Sequence, residues 1–148
     1  MSNRIPQMSV LALAAAFALG ASTPGVAAEL PRHKAGIWET TMIVNGAEPM
    51  VMKLCFAPEW EKKALDATVA ACAKHQVSRE GAAWVVESTC TMGSQVFTGR
   101  TVTTGDFDSA VSTEMSATAN DGTKTTMKTT AKWLRACGAN DKPGSIVK

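Results

Sequence analysis

The strongest constraint on the fold is a two-residue hydropathy period that runs from Gly36 to Cys137 and is interrupted once. Successive side chains of a strand point to opposite faces, so this alternation specifies sheet with one apolar and one polar side. Gly36–Val44 (GIWETTMIV) and Met50–Phe56 (MVMKLCF) read as strands, and Asn45-Gly46 between them is a hairpin signal. In the second strand Met50, Met52, Leu54 and Phe56 share one face, and Lys53 and Cys55 the other. The interruption is Glu59–Ala71, which reads as a helix. Pro58 suits a first helical position, Trp60/Ala64 and Leu65/Val69 recur four apart, and Glu59 is placed to pair with Lys63.

The second half reads as a meander. Thr89–Thr130 holds 13 threonines in 42 residues, and χ1 stiffness favours strand at that density. Asp106–Thr118 sets Phe107, Val111, Met115 and Ala117 against Asp106, Asp108 and Glu114. Thr123–Cys137 sets Met127, Ala131, Trp133 and Cys137 against Lys124, Lys128 and Lys132. A three-residue loop, Asn120-Asp121-Gly122, with Gly122 left-handed, makes Met115 face Met127 inside and Glu114 face Lys128 outside. The fold expected is mainly β: about seven antiparallel strands in a curved meander or partly closed barrel, with one short helix.

Cys55, Cys72, Cys90 and Cys137 are the cysteines of the chain. They lack the close C-x-x-C pairs of a zinc site, so an even number reads as a disulfide framework. Four cysteines allow three connectivities. The hairpin of Cys72–Arg79 and Ala83–Cys90 around Glu80-Gly81-Ala82 selects among them. A three-residue loop makes Val77 face Val85, His75 face Glu87 and Cys72 face Cys90, within disulfide reach. Cys72–Cys90 is therefore the expected local bridge, leaving Cys55–Cys137 to tie the early chain to its end.

Upstream, Met1–Gln7 carries one cation, Met8–Ala21 is almost wholly apolar, and Ser22-Thr23-Pro24-Gly25 ends any helix. Val26-Ala27-Ala28 supplies small residues for cleavage, so residues 1–28 read as a secretory signal and 29–148 as a single disulfide-linked β domain. The apolar run falls short of the ~20 residues a transmembrane helix needs. The expected destination is the periplasm, in soluble form with no transmembrane anchor in the mature chain, where disulfides persist. A net charge of +2 and 45% hydrophobic residues argue against both a nucleic-acid partner and a disordered chain.

Several of these segments resemble a bacterial exported family, domain of unknown function 3617. Gly36-Ile37-Trp38-Glu39 is similar to its G-L/I-W-E opening, and Cys55-Phe56-Ala57-Pro58-Glu59 to its C-L-x-P-E segment. Cys72, the strand Trp84–Cys90 and the closing Cys137 fit its pattern, whereas Arg135-Ala136-Cys137 stands where the family more often has Gly-Pro-Cys. The resemblance implies export, β structure and disulfides, and no activity.

Candidate chemistry is sparse. His75 and Glu87, facing each other with Arg79 on the same face, could form an acid–base pair of a small hydrolase. A solvated cross-strand salt bridge explains them more simply. His33 is expected in a frayed, solvent-exposed start. Trp38, Met50, Met52, Trp84, Met115, Met127 and Trp133 fall on inner faces, as core or as the wall of a ligand site. Methionine thioethers can hold Cu(I), but without an M-x-x-M or H-x-x-M cluster core filling is the favoured account. Lys124, Lys128 and Lys132 read as a solvated stripe that discourages edge pairing, not as a surface for anionic lipid or polysaccharide. No metal or cofactor motif is present. The leading expectation is a non-enzymatic β domain binding a small apolar ligand or a cell-envelope partner. The alternative is a purely structural or interaction protein with a filled core, and an apolar cavity above ~300 Å³ separates the two.

Overall fold

A computed structural model describes residues 28–147. The signal reading for residues 1–28 therefore lies almost wholly outside the described residues. Seven strands are observed: β1 (Gly36–Val44), β2 (Met50–Phe56), β3 (Cys72–Glu80), β4 (Ala83–Met92), β5 (Gln95–Gly105), β6 (Ala110–Ala119) and β7 (Lys124–Arg135). They form one antiparallel sheet in the order β2-β1-β7-β6-β5-β4-β3, with one helix, α1 (Pro58–Ala70), between β2 and β3. Among the described residues no helix is long and apolar enough to cross a membrane.

The turns explain the registers. Asn45 and Gly46 both have positive φ, 51° and 73°, as a type I′ hairpin turn requires. Gly122 is left-handed at φ 87°, and the β6–β7 register is the expected one: Met115 faces Met127, Glu114 faces Lys128. The β3–β4 hairpin differs from expectation. Its loop is the two residues Gly81-Ala82, with Gly81 at φ 60° in the glycine-first pattern of a type II′ turn. The shorter loop shifts the register by one, so Val77 faces Val86 and His75 faces Ser88. An irregularity between Cys72 and Lys74 leaves Ala73 extra and returns Cys72 to its place opposite Cys90. Both disulfides, Cys55–Cys137 and Cys72–Cys90, are present, with Cα–Cα distances of 5.8 and 3.8 Å.

Two further expectations are corrected. Residues 106–109 are not strand. The Asp106 carboxylate accepts the backbone N–H groups of Asp108, Ser109 and Ala110 and the Ser109 hydroxyl, a cage that turns the chain and sets Phe107 at φ 60°. In α1 the observed ion pair is Lys62–Asp66, not Glu59–Lys63.

The sheet does not close, since β2 and β3 are its two edges. Its connection favours a curl. Six strand spacings of ~4.8 Å make a flat sheet roughly 29 Å wide, which α1, rising about 20 Å over its 13 residues, would span only with Ala57 and Ala71 fully extended. The face carrying Trp38 and Phe56 is the inner one, and threonine reports the difference. Thr40 and Thr103 are buried and Thr101, Thr113, Thr125 and Thr129 half-buried on this face, while Thr98, Thr104, Thr118, Thr126 and Thr130 on the outer face are exposed.

The buried core lies at one end of the inner face. Trp38, Phe107 and Val111 form its centre, with Leu30, Phe56, Trp84, Ala131 and Trp133 packed around them. Trp38 is fully enclosed, and its indole N–H donates to the Lys34 carbonyl at 2.8 Å. After β7 the chain returns along β2, where the Gly144 N–H donates to Cys55 O and the Val147 N–H to Lys53 O. This return covers part of an otherwise open edge.

Candidate functional site

Facing residues on adjacent strands line up in rows across the inner face, and two rows carry most of its apolar surface. One runs Met50, Met42, Thr129, Thr113, Thr103 and Trp84. The next runs Val44, Met127, Met115, Thr101, Val86 and Val77. Met52 lies beside the first row, opposite Thr40. These side chains are half-buried except Thr103, which is buried, and Met50, which is 51% exposed. The register places Met50, Met52, Met115 and Met127 on this face together with Met42.

Three of the four tryptophans, Trp38, Trp84 and Trp133, lie toward the core end. Trp38 is fully buried; Trp84 and Trp133 are half-buried at its margin. Two of the rings carry a cation on their faces, and the indole N–H groups of Trp38 and Trp133 have acceptors. The Trp133 indole N–H donates to Ala35 O at 3.1 Å, Lys34 Nζ lies 4.1 Å above the Trp133 ring, and Arg79 stacks on Trp84 at 4.3 Å.

The His75–Glu87 pair is not assembled. With the shifted register Glu87 points to the outer face, where Lys74 Nζ donates to it at 3.0 Å. That hydrogen bond and the ammonium charge hold the Glu87 carboxyl below its usual range. Instead His33 has the carboxylate partner. Its Nδ1–H donates to Glu61 at 2.6 Å and its backbone N–H to the other carboxylate oxygen at 3.1 Å. The ring sits among Phe56, Trp38 and Phe107, with centroids at 4.8, 5.0 and 5.6 Å, so His33 is half-buried, not solvent-exposed as expected. No local pattern signals this contact, because its partners are 28 residues apart.

The larger hollows are grooves on the outer face. One of about 420 Å³ is walled by Thr98, Ser116, Thr118 and Thr126, with Lys74, Arg100 and Lys124 at its rim. Another of about 580 Å³ includes Glu39, Thr41, Ser112 and Thr130. The hollow of about 270 Å³ beside α1 is more apolar, lined by Leu30, Pro31, Phe56, Trp60 and Leu65. The two hollows above the 300 Å³ mark are thus lined largely by polar residues, not by the apolar wall a ligand cavity calls for. Among the described residues no three His, Cys, Asp or Glu side chains are grouped to hold a metal ion. The lysine stripe lies on the outer face, and Lys128 pairs with Glu114 at 3.0 Å.

Fold and site together define a disulfide-stapled, single-sheet antiparallel β domain with a half-open apolar face. The chain belongs to the protein family of unknown function DUF3617, whose model matches residues 33–137. No curated protein and no solved structure matches it.

Proposed function

We propose that the chain is an exported, non-enzymatic domain that binds a small apolar molecule on the inner face of its curled sheet. The observation that carries this reading is the two methionine- and valine-bearing rows, which remain half-exposed beyond the buried core. Methionine suits such a surface because its flexible, polarizable side chain adapts to varied shapes. Both disulfides fit an oxidising compartment such as the periplasm. Against an enzyme stands the separation of His75 from Glu87, together with the setting of His33 among aromatic rings.

The polar lining of the larger hollows favours a second reading, an interaction protein that uses its outer face, where those hollows lie, against a cell-envelope partner. Native mass spectrometry of the protein purified from periplasm separates the two. A retained small molecule supports the first reading; a co-purifying protein with no small molecule supports the second. Titration with an apolar fluorescent dye should give saturable binding that Met115→Lys abolishes.

A further inference from the structure

Six methionines follow Ala28, and five of them, Met42, Met50, Met52, Met115 and Met127, occupy one contiguous patch of the inner face. Met42 is its centre. Met50 faces it directly, Met52 and Met127 lie diagonally from it, and Met115 faces Met127. Directly facing side chains have Cβ atoms ~4.5–5.5 Å apart and diagonal ones ~7–8 Å. A methionine with three rotatable bonds crosses such gaps easily.

Core filling does not account for the patch. The buried hydrophobic residues are Ile37, Trp38, Cys55, Val85, Phe107, Val111 and Ala119, with no methionine among them. Apart from one another, the residues that face these methionines are Thr40, Thr101, Thr129 and Val44, with no carboxylate or imidazole at those register positions. Thr129, opposite Met42, carries a buried hydroxyl oxygen without a hydrogen-bond partner.

Thioether sulfur is a soft, uncharged donor. It suits Cu(I) and discriminates against cations that prefer oxygen or imidazole. We propose that Met42, Met50 and Met127 bind Cu(I) through their thioether sulfurs, with Met52 and Met115 flanking them. The sequence hides this set because its five members come from four strands, and only Met50 and Met52 are close along the chain. The proposal stands apart from the apolar-ligand reading, since leucine preserves an apolar wall and removes the sulfur.

The test is an anaerobic competition between the full chain and bicinchoninate for Cu(I). The wild type should withdraw one equivalent of copper, with shifts confined to the Met42, Met50 and Met127 ε-methyl NMR signals, and Zn(II) should produce none. Loss of even an outer-shell partner costs metal affinity 10–100-fold, so Met42→Leu/Met127→Leu should weaken binding by at least about tenfold. Copper left wholly on the chelator by the wild type, or full competition by the leucine variant, overturns the proposal. The methyl shifts decide the matter in the wild type even where the variant folds poorly.

Discussion

The imidazole of His33 and the carboxylate of Glu61 meet at 2.6 Å, each side chain only 19% exposed, and so pin the chain ahead of β1 to the first turn of α1. Neither residue has a sequence neighbour that requires the contact, and the rings of Trp38, Phe56 and Phe107 hold the imidazole in place.

His33→Leu should therefore destabilise the fold by about 1–3 kcal/mol, because Glu61 keeps its burial and the His33 backbone N–H but loses the imidazole partner. The double variant His33→Leu/Glu61→Leu should regain part of that loss. Urea titration of both single variants and the double reads the coupling. Strict additivity would show that the pair is only a neighbourly contact.

The two disulfides close loops of unequal length, with sequence separations of 82 and 18. Loop-closure entropy assigns about 4.5 kcal/mol to the first and about 3 kcal/mol to the second. Cys137→Ser should accordingly lower stability more than Cys90→Ser. A larger drop in the urea midpoint for Cys90→Ser would falsify the chain-closing role of Cys55–Cys137.

Gly36 has φ 146°, and a Cβ there would lie 2.2 Å from the Trp133 indole nitrogen and 2.5 Å from the Arg135 carbonyl. The β1–β7 contact is too close for any side chain. Gly36→Ala should cost more than about 2 kcal/mol and redshift tryptophan emission as Trp133 is displaced. A thermal midpoint equal to wild type would mean the strand end yields freely.

Asp106 offers a pH test. The Ser109 hydroxyl, then the backbone N–H groups of Ser109, Ala110 and Asp108, hold its carboxyl well below the usual carboxylate range. A depressed folded pKa contributes stability above the unfolded value of 3.8, and that contribution fades as pH falls below it. Asp106→Asn should be less stable than wild type at pH 7, and the gap should narrow below about pH 4. Urea midpoints at pH 7, 5, 4 and 3 measure it. A gap constant across that series assigns the loss to geometry and not to ionisation.

Local chemistry made much of this fold legible. Asn45-Gly46 and Asn120-Asp121-Gly122 specify both turn and register, and the β6–β7 pairing satisfies Met115/Met127 and Glu114/Lys128 together. At Gly81 the same reasoning chose a loop one residue too long, and His75 was matched with Glu87 in place of Ser88. The Cys72–Cys90 bridge survived that slip only because the irregularity at Ala73 absorbs the extra residue. Contacts between distant segments left no local trace. The β1–β7 pairing, His33 against Glu61 and the place of Met42 among the other methionines depend on how the sheet curls, which no short window of sequence encodes.

The position of β1 between β2 and β7 has a kinetic consequence. Strands β3 to β7 can add one after another as neighbours in the chain, but Trp38 finds Trp133 only when β7 is in place. The first strand must wait for the last, and every contact between them spans most of the polypeptide. High contact order of this sort slows folding. A chain that emerges amino-terminus first cannot complete its sheet until its final strand arrives, and until then β1 keeps one edge without its partner.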